Sequence, residues 1–492
     1  MIKTVMFHVH ANYTFIEGTY DTSVVDEATR FRKSGYRHAT AYKNRVWDGY
    51  TRLFSKAKNA FPTGLLDRVI KHYKKHYPNF LYTVTDHRDF LSPKSVPKVQ
   101  DVPLEGVTLR QHQVKAGNAM LRKKHGVLWA ATNSGKTEVA IATIKALDSP
   151  TLFLVKGKDL VLQTYERFKK RLGDEEVGIV MSTKWDVRKF TVASADTLAR
   201  RFNPTKVTPK ALEAKRKVED LLTNVKVIVI DECHTLASDG LFSIVRYCTA
   251  PYRFGLSGTP FKRGDKQDLK LIALTGEVCY KVTNKEMIND GVSVPTHITF
   301  VDIAKPTLPV GIDYPTAYED GIVNNIHRNR IISEAALKYC ANGKQVLIIV
   351  KKIDHGRLLS DLLTASGAFI PHTFIHGSVE TDVRTEALEN FKNGITKVLI
   401  ASSILDQGVD IPNIDVLIFA SGGNSYIRAI QRVGRGLRMH HTKDKLVVVD
   451  FSDRTNKYLA KHSVERIKTY TKEQCFTIDI VDTVEELVGV HN

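Results

Sequence analysis

Paired cysteines are missing from this chain of 492 residues. Its five cysteines, Cys233, Cys248, Cys279, Cys340 and Cys475, stand singly, with no Cys-x-x-Cys step. That pattern argues against a disulfide framework and against zinc or iron–sulfur ligation by cysteine, so no structural metal is expected. Scattered thiols suit a reducing compartment, where they serve as small buried apolar groups. No window holds the ~18 or more uninterrupted apolar residues that a membrane span needs. The opening MIKTVMFHVHANYTF has no apolar core followed by a small-residue cleavage site. The expectation is a soluble, cytoplasmic protein with no membrane partner. Acidic residues are also in deficit, 53 Asp+Glu against 72 Lys+Arg, a formal net charge of +19. Such a surplus suits a polyanionic partner, although it also simply favours solubility.

What is present changes character along the chain. In residues 1–105, Val5, Phe7 and Val9 alternate as in a half-buried strand. The run Arg45–Phe54 sets Asp48-Gly49 between two strand-like pieces, which predicts a tight hairpin. A basic, aromatic helix is expected over Leu65–Tyr77, and Leu91–Pro97, with two prolines, reads as a linker. From about residue 106, short apolar runs alternate with amphipathic helices. The strand candidates are Gly126–Ala130, Thr151–Val155, Phe190–Ala193 and Val225–Ile230. The alternation restarts at Gln345–Val350, Thr373–Ile375, Lys397–Ala401, Asp415–Ala420 and Lys445–Asp450. Runs of this length, with helices between them, predict parallel sheets covered on both faces. The expected class is α/β: two parallel-sheet lobes in tandem, residues 106–282 and 283–492, the second with a C-terminal helical tail, preceded by a small α+β accessory domain over 1–105. The connection between lobes is placed near 280–300. The Lys/Arg-rich insert Pro204–Val218 reads as a solvated helix in preference to a DNA contact.

The strand Gly126–Ala130 runs into Ala131-Thr132-Asn133-Ser134-Gly135-Lys136-Thr137 and then a helix-like stretch. That is the strand–loop–helix context of a phosphate-binding loop, in which backbone N–H groups and a helix N-terminus face the phosphates. Thr132, Asn133, Ser134 and Gly135 would form the cradle, Lys136 would reach the β- and γ-phosphates, and Thr137 would hold Mg²⁺. The loop departs from the general pattern at Ala130, where the first Gly is usual, and at Asn133; Asn tolerates unusual backbone angles well. The second apolar strand ends in Asp231-Glu232-Cys233-His234. Asp231 at a strand end can hold Mg²⁺, and Glu232 beside it can orient and deprotonate an attacking water. ATP and Mg²⁺ are the expected cofactors.

In order and spacing these motifs resemble the superfamily 2 helicases over roughly residues 106–470, which implies that both lobes are RecA-like. Leu109-Arg110-Gln111-His112-Gln113 is similar to the adenine-reading segment of that family, with Gln113 bonding the base and Arg110 in the same site. Ser257-Gly258-Thr259-Pro260 is similar to the motif that links the ATP site to nucleic acid. Gln431-Arg432-Val433-Gly434-Arg435-Gly436-Leu437-Arg438 closely resembles the sixth motif. It makes Gln431, Arg435 and Arg438 catalytic candidates, the two arginines sharing a helix face as fingers toward the γ-phosphate. In the segment Ala401–Asp410, the resemblance implies that Asp410 meets the ribose, that Gly408 allows close backbone approach, and that Ser402 and Ser403 lie near nucleic-acid phosphate. Lys156, Ser194 and Thr197 in the first lobe, and Lys351, His376 and Gly377 in the second, match backbone-gripping positions. With the hydrolytic carboxylates on one lobe and the arginines on the other, ATP binding and hydrolysis would close and open the pair.

Arg45–Tyr50, Phe61-Pro62-Thr63-Gly64-Leu65 and Arg466–Tyr470 resemble the UvsW-type branch-migration and recombination helicases of tailed phages. The resemblance implies ATP-dependent unwinding of branched DNA, 3′-to-5′ travel, possible contacts with phage recombination proteins and, for a phage-encoded chain, the host cytosol. Residues 1–105 carry 17 Lys+Arg against 10 Asp+Glu, which suits a DNA-binding face. Trp47 can stack on a base there or pack in the small domain's core; Trp beside an Asp-Gly turn favours the core. Two further readings stand beside the DNA helicase: a duplex translocase that does not separate strands, and an RNA helicase. The Asp-Glu-Cys-His box and the N-terminal domain weigh against the DEAD-box form of the latter, and no nuclease constellation accompanies the motor.

Overall fold

A strand buried on both faces needs apolar side chains at every position, and this requirement organises the molecule. The computed structural model describes residues 4–33, 35–92, 95–130, 134–237, 239–261, 268–402, 414–423, 445–471 and 476–489. The chain divides into two units at Val282/Thr283. The first unit is built on an eight-stranded sheet in the order Trp185–Asp186, Val177–Val180, Phe190–Ser194, Thr151–Val155, Val227–Ile230, Tyr252–Ser257, His125–Ala130, Val278–Val282. All neighbours run parallel except the two-residue edge Trp185–Asp186. Thr151–Val155, Phe190–Ser194 and Val227–Ile230 are buried at every residue. The second unit holds a seven-stranded sheet, wholly parallel, in the order His372–Ile375, Val398–Ala401, Val346–Ile349, Val416–Ile418, Leu446–Asp453, Thr296–Ile303, Phe476–Val481.

Each strand expected from an apolar run is present. Among those not anticipated, Val177–Val180 is short, contains Gly178 and is buried throughout, and Val278–Val282 is half exposed. Tyr252–Ser257 contains Arg253, which is buried yet satisfied, donating to the carbonyls of Val245, Cys248, Ala250 and Leu274. Thr296–Ile303 is a central strand of the second sheet. The connection placed near 280–300 therefore narrows to the stretch between Val282 and Thr296, which contains the helix Asn284–Asn289. The basic insert is a helix, Pro209–Asn224, capped by Thr208 and anchored through Val218, Leu221 and Leu222 while its cations face water.

The C-terminal region is not a helical tail. The helix Lys457–Tyr470 is followed by the edge strand Phe476–Val481 and a short helix, Val484–Gly489. Arg466 is buried against Asp450 at 3.0 Å and reaches the Gly423 carbonyl, so it belongs to the body of the second unit. A second buried pair, Arg328–Asp453 at 2.8 Å, lies in the same unit.

The N-terminal residues form a mixed four-stranded sheet, Ala60–Pro62, Tyr13–Glu17, Thr4–Val9, Leu81–Asp86, with helices Thr22–Thr29 and Leu66–His76 packed on it. The Asp48-Gly49 step does not turn a hairpin. Tyr50–Arg52 pairs instead with Arg30–Arg32, and Arg45–Trp47 close a short helix through bonds to Tyr42 and Ala41 carbonyls. Gly49 does need its positive φ of 84°, but the need arises from a bend in which Asp48 accepts from Tyr50 N and Arg52. The pattern break near residue 105 is also not a break in packing. Val5, Phe7, Phe61, Leu65 and Val69 share one apolar cluster with Leu269 and Ala273 of the helix Asp268–Thr275. Gly64 lies so close to this helix that a Cβ would stand 2.0 Å from the Ile272 carbonyl oxygen. Arg253 donates to Asn12 Oδ1 at 2.6 Å across the same junction.

Candidate nucleotide and nucleic-acid sites

In a parallel sheet, the carboxyl ends of neighbouring strands open onto one edge, where ligands of α/β folds bind. In the first unit that edge collects Lys156, Ser194, Asp231 and Ser257, each at or just past its strand's end, together with the start of the phosphate loop after Ala130. Ser194 stands opposite Val155, and Ile230 opposite both Leu154 and Gly255.

Thr132 and Asn133 lie outside the described residues. Ser134 and Gly135 precede the helix Lys136–Leu147, so Lys136 and Thr137 occupy its first turn. Gly135 has φ 75°, and a Cβ on it would stand 2.2 Å from Gln113 Nε2. The upstream segment is tied to this loop. Gln113 Nε2 donates to the Ser134 carbonyl at 3.0 Å, His112 Nε2 meets the same oxygen at 3.0 Å, and Gln113 Oε1 accepts from Arg110 N at 2.8 Å. Gln113 is buried, and its amide is already partly committed to holding the loop. Among the described residues, the buried Ser134 hydroxyl has no hydrogen-bond partner.

Asp231 is fixed by its N–H to the Leu154 carbonyl at 2.9 Å, and its Oδ1 accepts from Glu232 N at 2.9 Å. Burial, and then the neighbouring Glu232 carboxylate, raise the Asp231 carboxyl above the ordinary aspartate range, while the nearby Lys136 ammonium opposes the shift. Glu232 has φ 45°, a left-handed conformation that costs a non-glycine residue ~1–2 kcal/mol. Its Oε2 lies 3.2 Å from His234 Nδ1, which is also 3.2 Å from Ser257 Oγ. Ser257 Oγ accepts from Thr259 N at 3.1 Å, and the Gly258 carbonyl accepts from Trp129 Nε1 at 2.9 Å. Close polar contacts thus lead from Glu232 through His234 to the Ser257–Pro260 turn. His112, His234 and Ser257 join the candidate site through these contacts; in the sequence, the histidine of the Asp-Glu-Cys-His box and the serine of the Ser-Gly-Thr-Pro turn are the signals for the latter two. Cys233, between Glu232 and His234, is fully buried and structural.

Lys156 is exposed, whereas Thr197 is buried and donates its N–H to Ser194 Oγ at 3.3 Å. Ser194 is therefore a helix N-cap with its hydroxyl proton still to place. In the second unit Lys351, His376, Gly377 and Ser402 likewise follow strand ends of one sheet edge. Lys351 lies over the Tyr318 ring at 4.9 Å, and Ser402 N donates to the Ile375 carbonyl at 3.2 Å. Ser403, Gly408, Asp410, Gln431, Arg435 and Arg438 lie outside the described residues.

Trp47 is half-buried and does not join the apolar cluster of its domain; its indole N–H donates to the Tyr50 carbonyl at 2.8 Å. Beside it runs a surface of stacked cations and rings. The Arg30 and Arg32 guanidinium groups lie 4.6 and 4.7 Å from the Tyr50 ring centre, and Arg32 lies 4.9 Å from that of Tyr36. Arg37 bonds the Tyr36 hydroxyl at 3.2 Å and is the main cause of the lowering of its pKa.

The model of the type III restriction enzyme res subunit matches residues 106–262, and that of the helicase conserved C-terminal domain matches residues 328–440. The ATP-dependent DNA helicase uvsW of enterobacteria phage T4 is 23% identical over 482 residues, 90% of this chain and 92% of that one. The DNA 3′-5′ translocase XPB2 of Sulfurisphaera tokodaii is 25% identical over 418 residues, 75% of this chain and 89% of that one. Among solved structures, a fragment of a putative HsdR subunit of a type I restriction enzyme from Vibrio vulnificus covers 91% of this chain and 83% of its own. The TM-score is 0.57 at 17% identity, a likeness of fold. Among the described residues, no helix is long and apolar enough to cross a membrane.

Proposed function

The chain is an ATP-dependent DNA helicase of superfamily 2, and on that premise we propose that it unwinds and branch-migrates forked and four-way DNA, moving 3′-to-5′, in the cytoplasm. The direction is supported by the name of the 25%-identical 3′-5′ translocase, and action on DNA by the name of the 23%-identical DNA helicase of phage T4, which covers 90% of this chain.

In this reading the phosphates of ATP lie along the N–H groups from Thr132 to Lys136 and the start of the helix Lys136–Leu147. The residues fit that load: among the described residues the buried Ser134 hydroxyl has no partner, and Lys136 acts electrostatically on Asp231. The Thr137 hydroxyl and the Asp231 carboxylate offer the hard oxygen donors that Mg²⁺ prefers. Bound there, Mg²⁺ would neutralise developing phosphate charge. Glu232 orients water and accepts its proton, and its contact with His234 passes the state of the site to Ser257 and Thr259. Gln113 offers its remaining amide N–H to the base, with Arg110 beside it, and Asp410 and Gly408 bound the ribose. Arg435 and Arg438, with Gln431, stabilise charge on the γ-phosphate. Lys156, Ser194, Thr197, Lys351, His376, Gly377, Ser402 and Ser403 hold the DNA backbone.

The observation that carries the branched-DNA reading is the cation–ring surface of Arg30, Arg32, Tyr36, Arg37 and Tyr50, on a domain that shares its core with the ATPase unit. Guanidinium groups neutralise phosphate and rings stack on unpaired bases, the two features a junction offers together. Trp47 lies at the edge of this surface. The test is the double variant Arg32→Ala/Arg37→Ala. Single-strand-stimulated ATP turnover should persist while preference for forks and four-way junctions over plain duplex falls. Unchanged preference removes the surface from the mechanism.

A further inference from the structure

The helix Leu66–His76 carries two histidines four residues apart, His72 and His76, which places both on one face. Opposite them, on the helix Thr22–Thr29, stands Glu27. His72 Nε2 is 3.4 Å and His76 Nε2 3.7 Å from Glu27 Oε2, and the three donor atoms lie within 4.8 Å of one another. In a tetrahedral zinc site with bonds of about 2.0–2.2 Å, neighbouring donors are roughly 3.4 Å apart. Two of the three separations are therefore already near those of a metal centre.

Two other observations point the same way. His72 Nε2 is shielded from solvent, and among the described residues its polar contact is the Glu27 carboxylate at 3.4 Å, too loosely aligned for a regular hydrogen bond. The two helices are also held in place on either side of the cluster. Arg68 Nε donates to the Ala28 carbonyl at 2.8 Å, Tyr73 Oη to the Asp21 carbonyl at 2.6 Å, and Tyr77 Oη to Asp21 Oδ2 at 2.9 Å. Arg30, which acts electrostatically on Glu27, is occupied by Asp26 at 3.2 Å and by the Tyr50 ring. Glu27 and His76 are exposed enough to leave a fourth position to water.

We infer that Glu27, His72 and His76 form a binding site for one divalent transition-metal ion of the zinc class, bridging the two helices of the N-terminal domain. Two imidazoles and one carboxylate select Zn²⁺, Co²⁺ or Ni²⁺ over Mg²⁺, which prefers oxygen. The site is thus chemically separate from the nucleotide site and independent of the function proposed above.

The test uses the full chain, stripped with a chelator and returned to Mg²⁺ buffer without nucleotide. Zn²⁺ is titrated against a chromogenic chelator, and Co²⁺ is followed by its visible absorption. Wild type should take up one equivalent, and Co²⁺ should show the intense band of four-coordinate geometry. His76→Ala and Glu27→Gln, both at exposed positions, should weaken binding about tenfold or more, with unchanged circular dichroism and DNA-stimulated ATP turnover. No uptake by wild type, or equal uptake by both variants, overturns the site.

Discussion

Gln113→Ala is the most informative single change in the nucleotide site, because the structure gives this side chain work that does not involve a base. The substitution deletes the acceptor of Arg110 N and the donor to the Ser134 carbonyl. Each such bond contributes about 0.5–1.5 kcal/mol net, so the loop loses ~1–3 kcal/mol of anchoring. His112 keeps its own contact with the Ser134 oxygen, which places the expected loss toward the lower end. At 1.4 kcal/mol per factor of ten, kcat/KM should fall about five- to thirtyfold. The loss should be common to ATP and GTP, since it acts on the phosphate cradle. Any excess for ATP measures the contact of the remaining amide N–H with adenine. The assay is steady-state turnover of both nucleotides with saturating single-stranded DNA, with thermal melting of the nucleotide-free protein alongside. GTP turnover and melting temperature both unchanged would refute the positioning role.

Lys136→Ala and Glu232→Gln should each abolish ATP turnover while DNA binding persists; normal turnover in Glu232→Gln would remove that residue as the base. Arg328→Leu leaves the buried Asp453 carboxylate with only the longer 3.9 Å contact to Arg466, and denaturant unfolding should show a loss of about 3–5 kcal/mol. A loss below about 1 kcal/mol would mean that the pair is compensated elsewhere. Gly64→Ala forces a methyl against the backbone of Ile272 and Ala273 and should cost ~1–3 kcal/mol. It should also raise protease sensitivity in residues 1–105; an unaltered digest would show that the junction yields without loss.

The candidate nucleotide site of the first unit is legible because its motifs are local. A strand, a loop and a helix start are consecutive, and the Asp-Glu pair follows its own apolar run. The same holds for the buried parallel strands, whose composition is uniform. What escaped depends on partners distant in sequence. Asp48-Gly49 announced a positive φ but not that Tyr50–Arg52 would pair with Arg30–Arg32. The break near residue 105 marked a change of pattern, yet Phe61 and Leu65 pack on Leu269 and Ala273, some two hundred residues on. Phe476–Val481 alternates on a half-exposed edge and was read as tail. His72 and His76 are visible as a helical pair, but Glu27 becomes their neighbour only through folding.

The central claim is that one ATP-driven motor separates and migrates branched DNA. It is tested most directly by unwinding matched fork, four-way-junction and linear duplex substrates, in DNA and RNA, with tails of either polarity. The account predicts ATP-dependent strand separation on DNA forks and junctions, entry from a 3′ tail, and little action on blunt duplex or RNA. ATP turnover with displacement of a bound protein but no strand separation on any substrate would contradict it.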